Sequence, residues 1–231
     1  MTVAHATPTW PMYRTLVGIG MMCGLLIAAT YQGTRPVIER NRAEALQRAV
    51  FAVLPAARAR QTFVLTDDGR FVSDVEAAGE QVHAGFDEDG QLVGVAIEAA
   101  GMGYADTITV LYGYSPQQQA IVGIRVLTTK ETPGLGDKIE KDPIFLENFV
   151  ALDVRLDETG TALQNRIENV KRGQKTQPWQ IDGITGATIS SVAIGDILAT
   201  SSERWVPTIN QQLEQLEQLE QLDTGGQDGG S

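Results

Sequence analysis

The chain has 231 residues, 42% apolar and 20% charged, with a formal net charge of −11, which suits one folded domain with attachments rather than a large multidomain enzyme. The acidic balance sets aside a general nucleic-acid role, which needs clustered Lys and Arg. A single cysteine, Cys23, allows no internal disulfide or Cys-cluster metal site; the two histidines, His5 and His83, lack the spacing of a zinc centre and are too few for Ser-His-Asp chemistry.

The first element is a run of 17 uncharged residues, Thr15 to Tyr31, about 25 Å long as a helix at roughly 1.5 Å per residue. Trp10, Tyr13 and Tyr31 bracket it where amphipathic rings favour the headgroup level, and Arg14 can snorkel. A single transmembrane helix over residues 15–32 is expected, after an N-terminal tail of residues 1–14. A cleaved leader is the competing reading, but Ala28-Ala29-Thr30 is a poor cleavage site, and Met21-Met22 before Cys23 does not match a lipoprotein box.

Residues 14–60 carry seven arginines against Glu39 and Glu44; residues 61–205 carry eleven basic and twenty-two acidic side chains. A basic juxtamembrane helix is expected within residues 33–60, opened by Pro36 and ending before Pro55, with Ile38, Leu46, Val50, Val53 and Leu54 along one face. Arg35, Arg40, Arg42 and Arg48 follow the span, and the positive-inside tendency alone would keep the body cytoplasmic.

Beyond Arg60 the apolar period changes to two, as in Val93, Val95 and Ile97 or Val122, Ile124 and Val126, with turns at Asp68-Gly69 and Asp89-Gly90. Strands are expected at 62–65, 70–75, 82–87, 91–98, 106–112 and 120–127. A Gly-rich loop at 131–137, a helix near 143–151 and a final helix from about Ser190 to Thr200 follow. Strands followed by helices predict an α+β domain over 61–205, a hairpin-rich, mostly antiparallel sheet with helices packed on one side. Residues 206–231 are a low-complexity acidic tail, where Leu213, Leu216, Leu219 and Leu222 at spacing three form no coiled-coil seam and TGGQDGGS reads as disordered.

The segment richest in chemical meaning is Asp182-Gly183-Ile184-Thr185-Gly186-Ala187-Thr188-Ile189-Ser190-Ser191. A glycine-hinged loop presents hydroxyls ahead of a helix, whose free N–H groups and dipole favour an anion. An ordinary cap, with Thr188 or Ser190 accepting a bond from the first turn, would look the same. No Gly-Lys-Ser/Thr follows, so this is no Walker loop. No catalytic side chain and no metal ligand is assigned.

Asp182-x-x-Thr185-Gly186-Ala187-Thr188 resembles the D-x-x-[ST]-G-A-T sequence in which a separate flavin transferase moves FMN from FAD onto the last threonine, leaving a phosphodiester. A second block, Lys130-Glu131-Thr132-Pro133-Gly134-Leu135-Gly136-Asp137-Lys138, is similar to the E-T-P-G-L-G-x-K loop of the family of electron-transport complex G subunits. Gly103-Tyr104, the stretch Ile121–Leu127 and the Val53-Leu54-Pro55 helix end agree with it. The resemblance covers about residues 15–200 and points to the ion-pumping ferredoxin:NAD oxidoreductase (Rnf) complex; the homologous C subunit of the sodium-pumping NADH:quinone reductase is the alternative, as is an anchored adaptor without cofactor. The family often has His where this chain has Thr129, which is given no role.

The resemblance implies covalent FMN on Thr188, with Asp182, Thr185, Gly186 and Ala187 read by the transferase and Glu131, Thr132, Pro133, Gly134, Leu135 and Gly136 shaping a flavin pocket. It implies an FMN-binding domain over 61–205 that relays electrons among the membrane subunits of the complex without turning over a metabolite. The family topology places that domain on the periplasmic side of a bacterial inner membrane, against the arginine count.

Overall fold

The computed structural model describes residues 10–217. His5, Leu219, Leu222 and the terminal TGGQDGGS lie outside the described residues. The chain divides into two compact units between Leu46 and Gln47.

The first unit is most of a single helix, α1, Trp10–Val53. Its described side chains up to Ala45 are all exposed, Leu16, Met21, Leu25 and Ile27 included. It is the one helix among the described residues long and apolar enough to cross a membrane. Its hydroxyls turn inward, Thr15 donating to the Met12 carbonyl at 2.9 Å and Thr30 to the Leu26 carbonyl at 2.8 Å. Such back-bonding hides a donor that lipid could not satisfy. Beyond the apolar run, Arg35 pairs with Glu39 at 2.8 Å and Arg40 with Glu44 at 3.7 Å, one helical turn apart. Pro36 lies inside this helix instead of opening a second one: its ring removes one donor, from the Gln32 carbonyl, and the turns on either side hold the helix through that single gap.

The second unit is built on a seven-stranded sheet: β1 Ala59–Leu65, β2 Phe71–Val72, β3 Glu80–Phe86, β4 Leu92–Met102, β5 Thr107–Ser115, β6 Ala120–Thr128 and β7 Leu152–Asp153, in the order β2-β1-β3-β4-β5-β6-β7. Every neighbouring pair is antiparallel, and the hairpins follow the alternation and turn residues seen in the sequence. A 3-10 turn, Gly136–Glu140, leads to α2, Pro143–Glu147. Asp142 caps α2 by accepting from the Ile144 and Phe145 amides, with Pro143 in its first turn. This helix is shorter than the expected 143–151, although Phe149 still packs on Phe145 one turn earlier, edge to face at 5.1 Å. Two strands too short to leave a periodic signal, β8 Glu168–Val170 and β9 Gln180–Asp182, form a separate parallel pair.

The last helix, α3, runs Thr188–Gln211, through Pro207 and well past the expected end at Thr200. Ser201, Ser202 and Glu203 disguise its continuation, but Ile194, Leu198, Trp205, Val206 and Ile209 keep helical spacing and are all buried. Leu216 is fully buried in the same core, and Gln215 donates to the Phe71 carbonyl at 3.1 Å. The beginning of the acidic tail is thus packed structure.

Both faces of the sheet are covered, by α3 on one and by the end of α1 with the chain that follows it on the other, where the sequence reading expected helices on one side. Gly94 and Gly101 are seven residues apart on β4 and so face opposite ways. A Cβ on Gly101 would meet Ile197 of α3 at 2.6 Å; one on Gly94 would meet Leu54, just past α1, at 2.6 Å. The second face carries a strip of glycines across four strands, with Gly85 opposite Gly94 and Gly113 opposite Gly123. The chain from Val53 to Ala57 lies directly on it: a Cβ on Gly113 would overlap the Val53 carbonyl oxygen, and one on Gly123 would stand 2.8 Å from the Val53 Cα. The alternation of the strands predicted one buried face; bare backbone on the other gave no apolar signal.

Candidate functional site

α3 begins at the end of the glycine-hinged loop. β9 delivers the chain to Asp182, and the Gly183 amide donates to the Val170 carbonyl at 2.9 Å. The Ala187 amide closes a turn onto the Ile184 carbonyl at 3.1 Å, with Gly186 at φ +82°, a left-handed backbone that favours glycine. Ala187 then caps α3 with no side-chain bond. Thr188 is exposed, and its hydroxyl has no hydrogen-bond partner among the described residues. Ser190 donates elsewhere, so neither hydroxyl acts as the ordinary cap.

The second loop is a tight turn. Leu135 donates to the Thr132 carbonyl at 3.1 Å, with Pro133 and Gly134 (φ +79°) between them, the residue types a type II turn demands at those places. Asp137 braces it, accepting from the Gly134 amide at 2.7 Å and pairing with Lys141 at 2.7 Å; that lysine holds its carboxyl below the usual range.

The two loops meet. Glu131, Thr132, Leu135 and Gly136 line one side of a cavity of about 320 Å³, and Gly186, Ala187, Thr188, Ile189 and Ser190 line the other. Tyr104 completes it, from the β4–β5 connection. Tyr104, Leu135 and Ile189 present mostly exposed apolar surface, while Glu131 is only 6% exposed. Its Oε1 accepts from the Ala105 amide at 2.9 Å and its Oε2 from the Ser190 hydroxyl at 2.5 Å. One carboxylate thereby ties the loop to the Tyr104 connection and to the first turn of α3. The Lys138 ammonium lies near Gly186, 3.9 Å from where a Cβ there would stand.

Of the eleven residues singled out in the sequence, seven line this cavity and four do not. Pro133 and Gly134 form the back of their turn. Thr185 lines a neighbouring cavity of about 350 Å³ with Lys171, Arg172 and Asn169; Thr188 borders both. Asp182 turns away: its Oδ1 accepts from the Gln174 and Lys175 amides at 3.1 and 3.0 Å. Burial pushes the Lys175 ammonium down from its ordinary value, and Asp182 opposes that shift. Tyr104, Lys138, Ile189 and Ser190 carry no site role in the sequence reading; Lys138 closes the second matching block and Tyr104 belongs to the Gly103-Tyr104 pair that agrees with the same family, which is the signal the sequence offers for them. Among the described residues no cluster of His, Cys, Asp and Glu could hold a metal ion.

Residues 103–201 match the family described as FMN-binding domain. The chain is 33% identical over 187 residues to the G subunit of the ion-translocating oxidoreductase complex of Methanosarcina acetivorans, covering 80% of this chain and 87% of the relative. It is 35% identical over 137 residues to the protein of the same name from Cereibacter sphaeroides, covering 58% and 60%. Among solved structures it is similar to NqrC of Shewanella oneidensis, with a TM-score of 0.59, 21% identity and coverage of 75% and 98%. It is also similar to the C subunit of the Na(+)-translocating NADH-quinone reductase of Parabacteroides distasonis, with a TM-score of 0.57, 19% identity and coverage of 74% and 95%.

Proposed function

The chain belongs to the family of ion-translocating oxidoreductase complex G subunits, and on that premise we propose that it is a membrane-anchored electron relay carrying FMN covalently on Thr188. The observation that carries the reading is the unengaged Thr188 hydroxyl at the mouth of a cavity that the two matching loops build together. Its volume is at the lower end of ligand pockets.

The residues present fit a flavin mononucleotide. Gly186 and Ala187 leave room for a phosphate to approach the start of α3, where free amides and the helix dipole favour an anion. The Lys138 ammonium beside Gly186 adds a full positive charge. Tyr104, Leu135 and Ile189 offer apolar surface to a planar ring. The bound ring supplies the redox chemistry, accepting and giving up electrons. Thr188 would hold the phosphate, and the Glu131–Gly136 loop and Tyr104 would flank the ring.

Maturation by a flavin transferase would join the FMN phosphorus of FAD to the Thr188 oxygen, with AMP leaving and the hydroxyl proton lost. Asp182 would serve that step by shaping the loop, since its carboxylate is committed to the Gln174 and Lys175 amides. α1 would anchor the protein in the inner membrane beside the other subunits of an Rnf complex, with the flavin domain on the periplasmic side. A covalent tether suits that side, where a lost flavin could not readily be replaced.

The test is flavin fluorescence of the protein from its native membranes in a denaturing gel. A fluorescent band is expected, and Thr188→Ala abolishes it while leaving the amount of protein unchanged. A dark wild-type band, or a fluorescent Thr188→Ala band, overturns the assignment.

A further inference from the structure

Glu131 is a charged group where hydrogen bonding alone does not call for one. Both of its partners, the Ala105 amide and the Ser190 hydroxyl, would be satisfied by a glutamine of the same shape, because a hydroxyl can accept as well as donate. The surroundings are closely fitted to this side chain. A Cβ on Gly103 would stand 2.5 Å from Oε1, and one on Gly136 would overlap Oε2, so both glycines leave it the space it fills. The side chain is buried yet forms part of the cavity wall. Ser190 stands in the first turn of α3, whose positive end helps to hold the charge.

A negative charge on the cavity wall opposes the arrival of further negative charge, and because Glu131 is itself buried, water screens it less than it would a surface carboxylate. Resting on the reading of this cavity as a flavin seat, we infer that Glu131 sets the reduction potential of the flavin, holding it lower than a neutral wall would. The residue is a positioning group for Tyr104 and the start of α3, and an electrostatic brake on reduction. The direction fits a relay that must pass electrons on rather than retain them.

The experiment is a spectroelectrochemical titration of the full chain, produced together with a flavin transferase and purified in detergent. Glu131→Gln removes the charge and keeps the shape, and the midpoint potential rises. Glu131→Asp keeps the charge but withdraws it by one methylene, and the potential rises by less. Glu140→Gln removes a carboxylate from an exposed position on the following 3-10 turn and leaves the potential unchanged. A merely structural staple would give the opposite order, with the shortened Asp disturbing the flavin more than the isosteric Gln. That order overturns the inference, as does an unmoved potential in a yellow Glu131→Gln protein. If Glu131→Gln does not fold, an unmoved potential in Glu131→Asp overturns it; loss of the fold in both variants also counts against it. A colourless wild-type protein instead refutes the flavin assignment itself.

Discussion

Asn148 pairs with Asp182 as a strand would. Its Oδ1 accepts the Asp182 amide at 3.1 Å and its Nδ2 donates to the Asp182 carbonyl at 3.2 Å, on the edge of β9 away from β8. The same Oδ1 accepts from the Lys175 ammonium at 3.2 Å, and the residue is only 4% exposed. Asn148→Ala leaves the Asp182 backbone groups without a partner at the root of the Thr188 loop, and is expected to cost about 2–4 kcal/mol. Urea unfolding followed by tryptophan fluorescence measures the loss; an unchanged midpoint contradicts it.

His83 makes stability fall on mild acidification. Burial, with a smaller contribution from the Arg60 charge, pushes its imidazole down from 6.5 to about 4. Its Nδ1 lies 2.9 Å from the Thr62 hydroxyl across β1 and β3. Below pH 6.5 the unfolded chain takes up a proton that the folded chain refuses. Stability therefore declines from about pH 6.5 towards pH 4 and the loss then levels off, reaching at most about 3 kcal/mol. His83→Gln flattens the pH 5–6.5 part of the unfolding profile, above the range where the lowered carboxyls of Asp137 and Asp142 come into play. Parallel profiles for the two proteins would contradict this origin.

Gly113→Ala places a methyl group on the Val53 carbonyl, which is backbone and has no rotamer to escape into. A loss of about 1–3 kcal/mol is expected. Gly160→Ala, in a left-handed turn with open space around it, incurs only the conformational penalty. Thermal melts of the two variants should separate them, and equal melting temperatures would argue against the close seat of Val53.

Leu216→Ala removes a fully buried side chain contributed by the acidic tail and should cost about 2–4 kcal/mol. A stop codon after Gln211 should do at least as much, because it also deletes the Gln215 bond to Phe71. If the truncated protein melts with the full chain, the packing of this turn contributes nothing.

The sheet was legible because its core face alternates cleanly and Asp-Gly pairs mark its turns. β7, β8 and β9 were not, since two or three residues carry no period. α3 was half legible: polar residues at 201–203 interrupt a spacing that Trp205 and Ile209 resume. At the cavity, the matching blocks predicted Glu131 and Thr188, but the Ser190–Glu131 bond joins residues 59 apart, a relation no local pattern encodes. Asp182 illustrates the converse. It stands in the same motif as Thr188, yet as the last residue of β9 it gives its carboxylate to the Gln174 and Lys175 amides and does not line the cavity.

The glycine strip also dictates where the chain can be severed. A protease cutting just ahead of Gln47 would release a body with Ala49 to Ala57 still seated, able to stay in solution by itself. A cut after Arg60 would strip off that cover and lay bare main chain at Gly85, Gly94, Gly113 and Gly123 across four strands. Fragments of the second kind are expected to associate through that uncovered face, and those cut at the earlier site to keep it covered.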